Sequence, residues 1–534
     1  MKIEKLTAGY LVLPLGYLSK NKKIIIYADG KMVLEFDAPV DMLRPDYFKY
    51  LDLSALSGQK VEIITEPELD TPFSFTDRNP APPQYDEKYR PMAHFSAGLG
   101  WLNDPNGLVF YDGLYHLFFQ HNPIAHTWSN MHWGHAVSRD LLHWKEREPA
   151  LSPDELGTIF SGSAIVDREN RTGLKENEKD VLLLYYTAAG NTSKRSAGKP
   201  FTQCMAYSTD GGLTFTKYKN NPVIEHIEAE NRDPKVVYVE EISAYVMALY
   251  LSDNRYTLLV SDDLLSWKFL QEISLPGDAE CPDIYPLYLD EDRGKKRWVL
   301  SGAFDRFLIG EFRDGRFRPS GPPQQLHYGS NSYAAQTFSD IPETDGRRLR
   351  IAWNTTAVPQ SCFGGSMCLP CEMRLQTIRQ EEVVTAWPIA EISALFTERK
   401  THLLEELSAG SNYLIDRLTP GAAWMEFWIT PSEDSLFEWT VFGTGIEVNV
   451  PENIVRCMDK SMPLHLEDGQ LHLLVIADTL GFEIFGGRGQ SFMCMGFPAD
   501  FNLNGLELRV HRGSLLKMEC TLCGLENIWR SNDR

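Results

Sequence analysis

Short runs of alternating apolar and polar residues, bounded by Gly, Asn, Asp and Pro, recur along most of the chain. Examples are "GLYHLFFQ" (Gly113 to Gln120), "DVLLLYYTA" (Asp180 to Ala188) and "AYVMALYLS" (Ala244 to Ser252). A period of two between turn residues predicts β-strands. Helical spacing is confined to "SALFTERKTHLLEELSAG" (Ser393 to Gly410), which predicts a helix there. A weak repeat overlies the strand pattern: "AVSRDLLHW", "AYSTDGGLTF" and "LVSDDLLSW" share apolar-Ser-x-Asp followed by Trp or Phe. Ser138, Ser208 and Ser261 are spaced so that each unit has room for about four strands, the size of a propeller blade. Ser and Asp would close a turn through side-chain to backbone hydrogen bonds, and the aromatic would pack between blades.

The pattern changes at both ends. Residues 1–85 carry alternating segments such as "KKIIIYADGKMVLEF", with a turn at Asp29-Gly30, and then the Pro-rich stretch Arg78 to Pro91. This predicts a small β module and an extended linker. Residues 86–392 form the propeller of this reading. After about Ile392, "AAWMEFWIT", "LFEWTVF" and "LHLLVIADTLGFEIFGG" predict a second all-β body over 393–534, a sandwich.

Composition narrows the function. Asp and Glu number 73 against 52 Lys and Arg, a net charge of −21, which argues against nucleic-acid and anionic-membrane partners. The apolar run Tyr10 to Leu18 contains Pro14, lacks a small-residue cleavage site and leads into Lys20, Lys22 and Lys23, so it reads as a strand rather than a leader. No apolar run approaches the roughly 18 residues needed to cross a bilayer. Nine cysteines without framework spacing fit a reducing cytosol, and a cytoplasmic location is expected. The pairs Cys368/Cys371 and Cys520/Cys523 are too far apart in sequence for the two-pair zinc pattern and read as buried thiols.

The densest chemistry lies in "GWLNDPNG" from Gly100. A turn needs two or three such residues; here it also holds a carboxylate, two amides and an indole, the groups that grip a sugar. Two further acidic motifs precede strand patterns: Arg232-Asp233-Pro234, and Glu280-Cys281-Pro282-Asp283. In a propeller the innermost strands surround a channel, so carboxylates near their starts can converge on one pocket.

Trp101-Leu-Asn-Asp104-Pro-Asn-Gly, Arg232-Asp233-Pro234 and Glu280-Cys281 resemble, in order, the three signature motifs of glycoside hydrolase family 32, the invertase and fructanase family. "FFQHNP" with Gln120, "WSNMHWGHAVSRDLLHW" from Trp128, "FSGSA" from Phe160, "YAAQTF" from Tyr333 and "IAWN" with Trp353 match as well. The resemblance implies an all-β fold, a five-bladed propeller followed by a β-sandwich, and hydrolysis of β-fructofuranosides with retention. It implies Asp104 as nucleophile, Glu280 as acid/base, and Asp233 as a stabiliser of the transition state with Arg232 orienting Glu280. Trp101, Asn103, Gln120, Trp128, Phe160, Ser161 and Trp353 would line the fructose pocket. A retaining glycosidase works with two carboxyl groups, so no metal or cofactor is expected.

Asn331-Ser332 and Pro370-Cys371-Glu372-Met373 depart from the acidic-aromatic pair and the Pro-Arg-Glu-Leu that many members carry. That leaves preference on the leaving-group side open, as it does the choice among sucrose, inulin, levan and short oligosaccharides. A fructosyltransferase on the same scaffold, a non-catalytic sugar-binding propeller and a protein-interaction propeller are the alternatives. Retention of both Asp104 and Glu280 disfavours the second, and the long, irregular repeat spacing the third.

Overall fold

The computed structural model describes residues 1–78 and 80–530. Asn79 of the expected linker and 531–534 of the expected last domain lie outside the described residues. Among the described residues no helix is long and apolar enough to cross a membrane.

The first strands build two small sheets. One contains Lys22–Ala28 and Lys31–Ala38; the other orders Tyr47–Asp52, Tyr10–Leu15 and Ser74–Thr76. Their alternating apolar positions, among them Leu11, Leu13, Ile24, Ile26 and Ile63, close one core. That core also takes in Ile124, from a loop of the next body.

Five antiparallel sheets follow, here blades 1 to 5. Their first strands are Gly100–Tyr111, Thr158–Asp167, Arg232–Val239, Asp283–Tyr288 and Ser332–Thr337. Each first strand contacts the next, and the fifth contacts the first. Except at short stretches of blade 1, these strands have an inner edge that no neighbouring strand pairs among the described residues, and buried backbone groups there need other partners. Polar side chains of adjacent blades supply them. Gln336 accepts from Leu108 N and donates to Gly162 O; Ser163, Asp283 and Asp340 accept from the backbone N of Val236, Thr337 and Val166. Lys235, buried beside Asp283 at 3.1 Å, donates to Thr337 O. In blade 1 the inner edge is extended by Phe363–Gly364, which pairs in parallel with Gly100 and Trp101.

The three Ser-x-Asp repeats all sit where the third strand of a blade turns into the fourth: His132–Ser138, Thr202–Ser208 and Arg255–Ser261 end on their serines. Each serine hydroxyl bonds the aspartate two residues on, at 2.9, 2.7 and 3.0 Å. Each aspartate then accepts from backbone N–H groups of the turn. The side-chain chemistry read from the repeat is the chemistry present.

The last body packs a seven-stranded sheet on a six-stranded one around Phe427, Trp439, Val475 and Ile484. Its outer face shares a continuous core with blade 5, where Phe485 and Phe492 join Leu349 and Met373. The helix expected over Ser393 to Gly410 is absent: Ala390–Leu395 is a short 3-10 turn and Phe396–Ser408 a thirteen-residue edge strand paired with Ser514–Leu525. Leu404 and Leu407 pack on the sandwich core from that strand. Pairing along a ready sheet edge outweighs the weak helical preference of a Glu- and Leu-rich segment.

Candidate active site

The first strands do not run straight to the channel mouth. Register breaks fall between Leu102 and Pro105, Phe160 and Gly162, Arg232 and Lys235, and Tyr333 and Gln336. The residues inside the first three breaks are Asn103-Asp104, Ser161 and Asp233-Pro234. A β-bulge re-aims a side chain that regular alternation would send elsewhere. The glycine after Ser161 is part of the device, since a Cβ on Gly162 would lie 2.0 Å from Tyr185 O. Asp233 (φ 66°) and Glu280 (φ 57°) also hold left-handed backbone, a conformation that costs non-glycine residues of order 1 kcal/mol and clusters at functional sites.

The bulges at Asp104 and Asp233, with the left-handed turn at Glu280 ahead of Asp283–Tyr288, bring the three acids together. Ser161 Oγ donates to Asp104 Oδ2 at 2.6 Å, and Asn103 Nδ2 to Oδ1 at 3.1 Å. Trp101 Nε1 in turn holds Asn103 Oδ1 at 2.8 Å. The Cys281 thiol spans two acids, 3.4 Å from Asp104 Oδ2 and 3.5 Å from Asp233 Oδ2. Its backbone N donates to Asp233 at 3.0 Å. Glu280, one residue earlier, is held at both oxygens: Arg232 Nη2 donates to Oε1 at 2.8 Å and Tyr333 OH to Oε2 at 2.5 Å. Arg232 stacks on Tyr250, 4.8 Å from the ring centre.

Electrostatics follow from burial. Burial pushes the Asp104 carboxyl above its ordinary value; hydrogen bonds from Ser161, Asn103 and Cys281 oppose this, and the Glu280 charge adds to it. Asp233, 6% exposed, is pushed up to about 7 by burial, with Arg232 pulling down and Asp104 pushing up. Burial works against the charge on Arg232, but Asp233 and Glu280 more than compensate and hold it cationic. Burial and the flanking acids keep the Cys281 thiol protonated, hence a donor.

The remaining expected residues fall around this cluster. Gln120 lies opposite the break that holds Asn103 and Asp104, buried, with Nε2 unpartnered among the described residues. Trp353 stands edge-on to Trp101 at 5.9 Å and to Tyr333 at 6.2 Å, its Nε1 also buried and unpartnered. Two orphaned donors beside a carboxylate cluster suit hydroxyl groups of a ligand. Phe160 precedes Ser161, and Trp128, 53% exposed, rests edge-on against it at 6.1 Å on the rim. Two residues of the cluster had no role in the sequence reading. Tyr333 stood in a quoted stretch, and its place at the start of a blade's first strand was the available signal. Cys281 stood beside Glu280 with no signal for its double contact.

A metal-type grouping exists elsewhere, at the seam of blade 5 and the sandwich. Cys368 Sγ, Cys494 Sγ and a Glu483 oxygen, all buried, lie within 4.8 Å of one another. Cys368 thus meets Cys494 rather than Cys371, its partner in the sequence motif. Three ligand atoms fall short of the four of a structural zinc site.

The family described as "Glycosyl hydrolases family 32 N-terminal domain" matches residues 94–388. A levanase of Bacillus subtilis (strain 168) is 33% identical over 494 residues, covering 83% of this chain and 72% of its own. Among solved structures, exo-inulinase from Aspergillus awamori superposes with a TM-score of 0.73 at 24% identity, over 83% of this chain and 100% of that one. The β-fructofuranosidase from Schwanniomyces occidentalis complexed with fructosyl-erythritol gives 0.68 at 24% identity, over 82% and 98%.

Proposed function

The chain belongs to glycosyl hydrolase family 32, a glycosidase acting on terminal β-fructofuranosides, and on that premise we propose that Asp104, Asp233 and Glu280 carry a retaining mechanism. Asp104 attacks C2 of the terminal fructosyl unit while Glu280 passes its proton to the departing glycosidic oxygen, and the C2–O bond breaks. Water then attacks C2, gives its proton to Glu280 and releases Asp104. Asp233 holds ring hydroxyls and favours the positive charge that develops at the ring. Arg232 and Tyr333, bonded to opposite oxygens of Glu280, fix where its proton is delivered. Trp101 and Asn103 orient Asp104, Ser161 bonds it directly, and Gln120, Trp353, Phe160 and Trp128 line the ring pocket. The body 86–392 carries all of these groups.

The observation that supports this most is the convergence: one thiol touches both aspartates, and its neighbour Glu280 is clamped beside them. An indole- and amide-lined pocket suits one terminal ring, so release is of the exo type. All nine cysteines are free, which supports a reducing compartment and oligosaccharides already inside the cell as substrates. The test is incubation with sucrose, inulin and levan, with products resolved by size. Free fructose as sole early product supports the reading; a ladder of shortened chains, or transfer products in place of fructose, overturns it.

A further inference from the structure

A cleft of about 1860 Å³ lies between the N-terminal module, the Pro-rich linker and the outer strands of blade 1, and Trp128 is where it meets the surroundings of the acids. It exceeds the roughly 300–1,000 Å³ of a single small-ligand site. Trp128 belongs to its lining and also rests on Phe160, the residue before the serine that bonds Asp104. The cleft thus opens at the rim of the active site.

The module that roofs it is fixed in place. Asp37 and Asn130 exchange two hydrogen bonds of 2.8 Å, Tyr47 OH meets His126 Nδ1 at 2.8 Å, and Glu35 accepts from Lys194 N. Asn130, His126 and Lys194 lie on the loops leaving Leu114–Asn122 and Val181–Ala189, at the end of blades 1 and 2 where the acids lie. With Ile124 in the module's core as well, the roof cannot swing freely.

The lining is chemically specific. His121 and His132 face each other directly across paired strands of blade 1. From the module's edge strand, Tyr47–Asp52, Lys49 lines the cleft together with Glu146 and Glu148, whose charges favour its ammonium. Lys49 makes no hydrogen bond or ion pair among the described residues, although burial lowers the pKa of its ammonium. A half-buried ammonium that donates no hydrogen bond is costly unless something else accepts one. Tyr50 beside it, and Trp128 at the rim, offer flat apolar faces. Donors and acceptors of both signs interleaved with aromatic faces suit a neutral polyol; a one-sign ligand would meet repulsion from half of the lining.

We propose that this cleft is an accessory binding site for the distal units of a fructosyl chain whose terminal ring sits at Asp104. The proposal rests on the fructosidase reading and adds chain-length preference to it, with the N-terminal module as a specificity element. Lys49 and Tyr50 act only on substrates long enough to pass Trp128. The test compares wild type, Lys49→Met and Tyr50→Ala on sucrose and on an inulin-type chain of about ten units. Each variant should raise KM for the long chain about five- to tenfold at unchanged kcat, and leave sucrose kinetics within about twofold, which also reports an intact fold. Calorimetry in an Asp104→Asn background should show the same loss in affinity for the long chain and none for sucrose. Equal losses on both substrates, or an unchanged long-chain KM and affinity, overturn the proposal while the fructosidase reading stands. A wild type that releases no fructose from either substrate removes both.

Discussion

Two sets of aspartates sit at turns of the same blades and are treated in opposite ways. Asp140, Asp210 and Asp263 close the turns after the third strands; Asp104 and Asp233 stand in bulges of first strands. Burial raises the pKa of all five, but in the turns donors win. Asp210 accepts from Ser208, from Leu213 N, and from the N and hydroxyl of Thr214, and is brought down to about 2; Asp140 and Asp263 are lowered likewise. Asp233 accepts one backbone N–H, from Cys281, and the long contact of its thiol. A structural acid is saturated by its own turn. Asp104 and Asp233 keep lone pairs free for something that is not protein, and their raised pKa values record the cost.

The largest effect is expected from Asp104→Asn. It should lower kcat for sucrose by at least about 10⁴-fold with the circular-dichroism spectrum unchanged, since the proposed nucleophile is lost and the shape kept. Residual turnover near wild type would move Asp104 to the structural set. Glu280→Gln should cost about 10³-fold on sucrose but far less on an aryl fructoside, whose leaving group needs no proton. Equal losses on the two donors would remove Glu280 from proton transfer.

Asp233→Asn should lower kcat about 100-fold with little change in KM. It should also stabilise the fold above neutral pH. A carboxyl whose folded value is about 7 binds its proton more tightly folded than unfolded, so its stability contribution is present below the unfolded value near 4 and is lost as pH rises towards 7. An amide escapes that loss. The variant should therefore unfold at higher temperature than wild type at pH 8 and lose the advantage at pH 4. The gain is bounded by about 4 kcal/mol at 1.36 kcal/mol per pKa unit, less what the bonds to Cys281 contribute. A variant that melts lower at pH 8 would place Asp233 with the turn acids.

Smaller effects sharpen the boundary. Tyr333→Phe removes one of two clamps on Glu280 and should cost about tenfold on sucrose and less on the aryl fructoside. Asp210→Asn should leave turnover within about twofold and lower stability by about 1 kcal/mol in urea unfolding, the ordinary cost of a lost turn cap. A larger loss of activity there would erase the distinction between the two sets.

Much of this could be read from the sequence because both sets carry local signatures. Ser-x-Asp with its aromatic, and an acid beside Pro ahead of a strand, are written in consecutive residues. What could not be read depends on distant ones. The bulge at Asp104 is defined by Phe119 and His121 across the sheet, the thiol of Cys281 needs Asp104 for its meaning, and Lys49 becomes notable only beside Glu146 and Glu148. The same limit explains the missed strand at Phe396–Ser408, whose composition speaks for helix while its partner lies at Ser514–Leu525.

The parallel pairing of Phe363–Gly364 with Gly100 and Trp101 bears on when the protein can first work. During synthesis Asp104 leaves the ribosome early, but the strand that carries it lacks its inner neighbour until residue 364 has been added. Glu280 and Tyr333 also arrive in that interval. Nascent or prematurely terminated chains therefore carry Asp104, the nucleophile of the proposed mechanism, on an unlatched edge, and that mechanism requires the ring to be translated almost to its end before the first turnover.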